Sequence, residues 1–161
     1  MPGHCTLNWL NYGISMATEY LVQMAVTLTP KIGNVVPEVQ ISVPGYSARY
    51  VLQHTKKIQL EFTANQGWLD ILFFNKVDSD ADTAIIIDSI EFFGITDPQF
   101  VWTGTYCPIY PEPWHSQQIS KPAAQLQQQN YLGWNGTWRL DFEVPVFTWI
   151  HKIQNLGWIY Q

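Results

Sequence analysis

Lys57-Ile58-Gln59-Leu60-Glu61-Phe62-Thr63 alternates apolar and polar side chains without a break. Ile58, Leu60 and Phe62 point one way; Lys57, Gln59 and Glu61 point the other. A period of two marks a strand with one face buried and one in water. The same pattern recurs on either side. Thr18 to Leu28 places Tyr20, Val22, Met24, Val26 and Leu28 on one face. Val39, Ile41 and Val43 alternate with Gln40 and Ser42 before a Pro44-Gly45 turn. Trp68 to Phe74 (WLDILFF) and Ala84 to Ile95 (AIIIDSIEFFGI) are apolar on nearly both faces, as suits strands covered on both sides. In the second run Ile85 and Ile87 share one parity and Ile90 and Phe92 the other, so a β-bulge is expected near Asp88-Ser89, with Gly94 ending the strand. Thr137 to Val144 alternates again, with Trp138, Leu140 and Phe142 inward and Arg139, Asp141 and Glu143 outward.

Between Thr96 and Asn130 the texture changes. Tyr106 to Trp114 (YCPIYPEPW) holds Pro108, Pro111 and Pro113, which bars it from the centre of a sheet. Six glutamines fall between Gln117 and Gln129, and a short helix is expected around Ala123 to Gln128. Gly133 and Asn135-Gly136 read as a hairpin turn rather than, at Asn135-Gly136-Thr137, a glycan acceptor. Pro145 to Ile153 fits either a short amphipathic helix or an edge strand. Short strands punctuated by turns, with one proline- and glutamine-rich excursion, predict an all-β fold: an antiparallel, jelly-roll-like β-sandwich with the excursion on one rim. Residues 16–161 form this single domain, and residues 1–15 read as an arm or as an extension ahead of a start at Met16.

The chain of 161 residues is 47% hydrophobic and 15% aromatic but only 13% charged. That is about half the usual charged share of roughly 25%, and it favours a surface covered by partners over a lone monomer. A net charge of −5 supplies no basic field for nucleic acid. No stretch approaches the roughly 18 apolar residues of a membrane span, and the first residues lack the pattern of a signal peptide. Synthesis in the cytoplasm is therefore expected, with Cys5 and Cys107 as two free thiols.

The stretch Leu69 to Ile95 (LDILFFNKVDSDADTAIIIDSIEFFGI) resembles the calcium-dependent xylan-binding modules, small jelly-roll domains. Phe73 and Asn75 match that family's strand-ending turn. Asp78, Asp80 and Asp82 fill its acidic loop, and Asp88, Ile90 and Gly94 match its aliphatic strand. The departures are Lys76, where the family carries an acid, and Thr83-Ala84, where it tends to carry Arg-Asn. The order of this block, YCPIYPEPW and Leu132 to Ile150 (LGWNGTWRLDFEVPVFTWI) is similar to structural proteins of tailed bacteriophages that carry such a module. The resemblance implies a virion location. The partners would be other virion proteins and further copies of the chain, on the tail, baseplate or fibre, or as capsid decoration.

Three candidate features follow. Alternating Asp78, Asp80 and Asp82, with Asn75 beside them, could offer oxygens to calcium, although Lys76 would weaken such a site. The loop is not an EF-hand: counting from Asp78, the sixth residue is Thr83 and the twelfth Ser89, where glycine and glutamate are required. A solvated acidic turn explains the same residues. Trp102, Trp114 and Trp134 lie in the loop-rich part and could stack on sugar rings, with amides such as Gln117 or Asn130 bonding hydroxyls, or could anchor a protein interface. The YPEP segment could dock against a neighbour in extended form. Catalytic signatures are missing: His4, His54, His115 and His151 are scattered, and Asp141 and Glu143 share one face of a strand instead of facing each other across a cleft. From sequence, a non-enzymatic virion protein that packs against its neighbours comes first. A calcium-dependent carbohydrate-binding module is the alternative. A virion protein that holds host surface glycan combines the two.

Overall fold

The computed structural model describes residues 18–155, so the residue 1–15 arm and Cys5 lie outside the described residues. The strands are β1 (Tyr20–Lys31), β2 (Glu38–Val43), β3 (Tyr46–Val51), β4 (Lys56–Ala64), β5 (Gly67–Phe73), β6 (Ala84–Phe92) and β7 (Ile95–Thr96). Helix α1 (Pro98–Trp102), β8 (Thr105–Pro108), α2 (Trp114–Gln117), β9 (Leu126–Gln127), β10 (Tyr131–Leu132), β11 (Gly136–Phe142) and α3 (Val146–Ile153) follow. One sheet runs β10-β6-β1-β4 with β7 beside β6; the other runs β3-β2-β5-β11-β8-β9. Every pairing is antiparallel. The two sheets form a jelly-roll-like sandwich.

The alternating patterns become the core. Val22, Met24, Val26 and Leu28 of β1 face Val39, Ile41, Leu69, Ile71, Leu140 and Trp138 of the other sheet, all buried. Removing such side chains from water is the main favourable term of folding, about 1.5–3 kcal/mol each. The expected bulge sits where the parity slips: Thr27 pairs with Ser89 but Leu28 with Ile87, which leaves Asp88 over. Phe93 and Gly94 end the strand with φ of 51° and 79°. At one end of the sandwich Phe92 meets Phe100, Phe142 and Trp149 at ring-centre distances of 5.2, 4.8 and 5.6 Å. This knot pins α1 and α3 to the sheets.

Four local expectations need correction. Tyr106–Pro108, the start of the proline-rich segment, lies inside the sheet between β11 and β9. Its first proline stands at the end of β8 and the other two beyond it, so the ladder is spared. Ala123 to Gln128 is not a helix: Leu126 pairs with Tyr106 and Gln127 with Thr105, and six residues are too few to hold a helix without packing. Gly133 to Gly136 is not a hairpin, because β10 belongs to one sheet and β11 to the other. Cys107 is disulfide-bonded, not a free thiol. Of the two options at Pro145 to Ile153 the helix forms, burying Val146, Trp149 and Ile150.

The outward side of β11 also departs from simple alternation. Arg139 is buried, its Nη1 3.3 Å from Asp70 Oδ2 and its Nε 3.1 Å from Asp141 Oδ1, with the guanidinium 5.1 Å from the Trp68 ring. Burial pushes the Asp70 carboxyl up to about 6, Arg139 pulling against it and Asp141 adding to it.

Candidate functional site

The acidic loop between β5 and β6 is organised by Asp80, which is 3% exposed. Its Oδ1 accepts from Asp82 N at 2.9 Å and Thr83 N at 3.0 Å. Its Oδ2 accepts from Asn34 N at 2.9 Å and from the Thr83 hydroxyl. The Thr83 hydroxyl oxygen in turn accepts from Gly33 N at 3.0 Å. A Cβ on Gly33 would lie 2.5 Å from Asp80 Oδ1, so only glycine lets the chain come this close. The Thr83 hydroxyl, aided by the backbone N–H groups, holds the Asp80 carboxyl well below the usual carboxylate range. Asn75 is spent in the same manner: Oδ1 accepts from Glu38 N and Nδ2 donates to Val36 O, both at 2.8 Å.

These residues do not fit a calcium site. Calcium takes six to eight oxygens, and both oxygens of Asp80 are turned toward hydrogens. The Asn75 amide oxygen faces a backbone N–H. Asp78 and Asp82 stand exposed, Asp82 with Lys31 at 3.7 Å. Among the described residues no group of three or more His, Cys, Asp or Glu gathers to hold a metal. A cation does sit here, but it is Lys76. The residue is largely buried, and its partly buried Nζ donates to Gly133 O at 2.6 Å and lies 5.1 Å from the centre of the Trp134 ring. Burial pulls its pKa down, while Asp80 and Asp82 oppose that.

The three candidate tryptophans separate into two places. Trp114 and Trp134 pack on each other at 5.3 Å, and Tyr110 closes the group at 5.7 and 6.0 Å. His115 stacks on Tyr110 at 5.7 Å, and the Tyr110 hydroxyl donates to Ala123 O at 2.8 Å. The cluster therefore closes the proline-rich excursion upon itself. Glu112, Ser116 and His115 come together here without forming a catalytic relay. The Ser116 hydroxyl donates to one Glu112 oxygen and His115 Nδ1 lies 3.3 Å from the other, so the histidine faces the glutamate and not the serine.

Trp102 stands apart from this cluster, at the end of α1, and is 42% exposed. Asp97 caps this helix, its Oδ1 accepting from Gln99 N at 2.9 Å, and Pro98 presets the first turn. Phe100 and Val101 turn inward to the aromatic knot, which forces the next side chain outward. No other ring packs on the Trp102 indole among the described residues. On one side lies an open cleft lined by Gln99, Thr103, Gln128 and Ile153. On the other is a small pocket of about 100 Å³, with Ile87, Pro98 and Val101 on its walls and Asp88, Ser89, Asp97 and Asn130 as its polar groups, room for an exocyclic group rather than a whole ring. Asp97 Oδ2 accepts from Gln154 Nε2 at 2.8 Å and Asp88 takes the Thr29 hydroxyl. The Asn130 amide and Ser89 hydroxyl have no side-chain partner among the described residues.

Of the residues around Trp102, the sequence singles out Trp102 and Asn130 but not Gln99, Gln128, Ser89 or Asp88, which come from distant segments and carry no local pattern. Gln117, the other amide considered, sits on α2 beside the closed cluster. A second groove crosses the outer face of β4, β1 and β6 over Ala25. Its charged groups are already paired, Lys57 with Glu91 at 2.7 Å and Glu61 with Gln23 at 2.9 Å, and the ring on its lining, Phe93, packs on Phe147 at 4.8 Å.

No family model and no curated protein matches the sequence. The fold is similar to that of a solved structure described as vCBM60 in complex with galactobiose. The TM-score is 0.52 and the identity 15%, over 74% of this chain and 97% of that one. A selenomethionine form of vCBM60, described in connection with two families of calcium-dependent carbohydrate-binding modules, gives a TM-score of 0.48 and 15% identity over 74% and 90% of the two chains. The first likeness is one of fold: this chain is a β-sandwich of the same kind as that module.

Proposed function

We propose that this chain is a non-catalytic carbohydrate-binding module that takes a glycan at Trp102. The observation that carries the reading is the outward indole, on which no other ring packs among the described residues, with amide and hydroxyl side chains on both sides. The C–H face of a sugar ring stacks on an indole, and planar amides pair with adjacent hydroxyls. The likeness of fold to a module solved with galactobiose supports the same class. The two carboxylates beside Trp102, Asp88 and Asp97, are each engaged by a neighbouring side chain, Thr29 and Gln154, and the reading asks for no calcium. A glycan array probed with the full chain and with Trp102→Ala tests it. Signals present with the parent chain and lost with the variant are expected; an array without signal overturns the reading.

Packing against other virion proteins is the second reading, and the exposed apolar side chains of the excursion favour it. Ile109 is 64% exposed and Ile119 fully so, and apolar surface of this kind marks interfaces. Sedimentation of the purified chain separates the two readings: a monomer at high concentration speaks against assembly through this rim.

A further inference from the structure

We propose that the Lys76 ammonium is the resident cation of this rim, tying the β5–β6 loop to the β10–β11 connection in place of a metal ion. The inference stands on the loop geometry and is independent of the carbohydrate reading. Lys76 is held from both ends. Its backbone N–H donates to Asn135 Oδ1 at 2.9 Å and its carbonyl accepts from Asn135 Nδ2 at 2.8 Å. At the far end of the side chain Nζ donates to Gly133 O at 2.6 Å. One lysine thus binds both ends of the three-residue step from Gly133 to Asn135, and Trp134 between them lies under the ammonium at 5.1 Å. A positive charge over an indole face is attracted by the ring quadrupole, the more so when water is excluded.

The acidic side of the rim is complete without a metal. Asp80 takes four donors from Asn34, Asp82 and Thr83, and Asp82 lies near Lys31. A divalent ion would have to compete with those donors and sit near the Lys76 ammonium, against its charge. Lys76 therefore supplies the positive charge beside these carboxylates from within the chain. It also links the acidic loop to the Trp114–Trp134–Tyr110 cluster, since the ring that the ammonium covers is a member of that cluster.

Thermal melting of the full chain, followed by near-UV circular dichroism, tests the proposal. Adding millimolar calcium chloride or a chelator to the parent chain should shift Tm by less than about 1 °C, since a ligand that does not bind the folded state cannot stabilise it. Lys76→Met should lower Tm by several degrees, change the tryptophan bands, and gain nothing from calcium. If that variant does not fold, Lys76→Gln, which keeps a donor for Gly133 but no charge, is melted instead, with the same outcomes. A rise of several degrees with calcium in the parent chain, or a charge-free variant that melts like the parent with unchanged bands, overturns the proposal.

Discussion

The indoles of Trp114 and Trp134 lie against each other, ring centres 5.3 Å and planes 33° apart, so each covers part of the other. Aromatic pairs of this kind contribute about 0.5–1.5 kcal/mol beyond the area they bury. Trp114→Ala is therefore expected to act on stability, lowering it by about 1–2 kcal/mol, or roughly 2–8 °C in Tm for a chain of this size. Glycan retention through Trp102 should be unaffected. A variant with the parent's Tm but no glycan binding would move the site from Trp102 to this cluster.

Asp80 and Gly33 form a second matched pair. Asp80→Ala leaves the N–H groups of Asn34, Asp82 and Thr83 without their acceptor, and Gly33→Ala drives a methyl to within 2.5 Å of the carboxylate. Both should lower Tm by several degrees. The double variant should cost less than the sum of the singles, because the two changes break one loop. Full additivity in a melting series would show that the two residues act separately.

Asp70 makes stability depend on pH. In the folded chain its carboxyl is pushed up to about 6, while an unfolded aspartate ionises near 3.9. Between those values the folded state binds more protons than the unfolded state, so stability falls as pH rises from about 4 to 6 and levels off above. A shift of this size corresponds to at most about 3 kcal/mol; because the side chain is 14% exposed, about 1–2 kcal/mol is expected. Urea melts across that window should show the slope in the parent chain and not in Asp70→Asn. An equal slope in both would assign it to other groups.

Gly104 lies under Trp138, the largest fully buried side chain, and a Cβ there would be 2.0 Å from its ring. Gly104→Ala should cost about 1–3 kcal/mol through overpacking. Trp138→Phe in the same background should restore part of the loss; a background in which it restores nothing would point to backbone strain instead.

The sandwich was legible because its strands are written in side-chain parity. Even the bulge at Asp88 showed as a slip between Ile87 and Ile90. The helix expected at Ala123 to Gln128 failed because composition outweighed the pairing of Leu126 with Tyr106, which no local pattern announces. Alternation sets Arg139 on the outward face, and only the register that puts it opposite Asp70 brings the ion pair together. The DSDAD run advertised its chemistry, yet what Asp80 does depends on Asn34 and Gly33, more than 40 residues away. Exposed tryptophans are visible in a sequence; whether a ring keeps a free face is decided by its neighbours, and that separates Trp102 from Trp114.

Affinity electrophoresis measures the central claim most directly. The full chain, Trp102→Ala and Trp114→Ala would be run in gels with and without neutral polysaccharides such as galactan and xylan, with chelator present throughout. The parent chain and Trp114→Ala should be retarded by at least one polysaccharide, and Trp102→Ala should run as in the plain gel, its binding weakened tenfold or more, equivalent to about 1.4 kcal/mol or above. A parent chain that no polysaccharide retards, or a Trp102→Ala variant retarded as strongly as the parent, would contradict it.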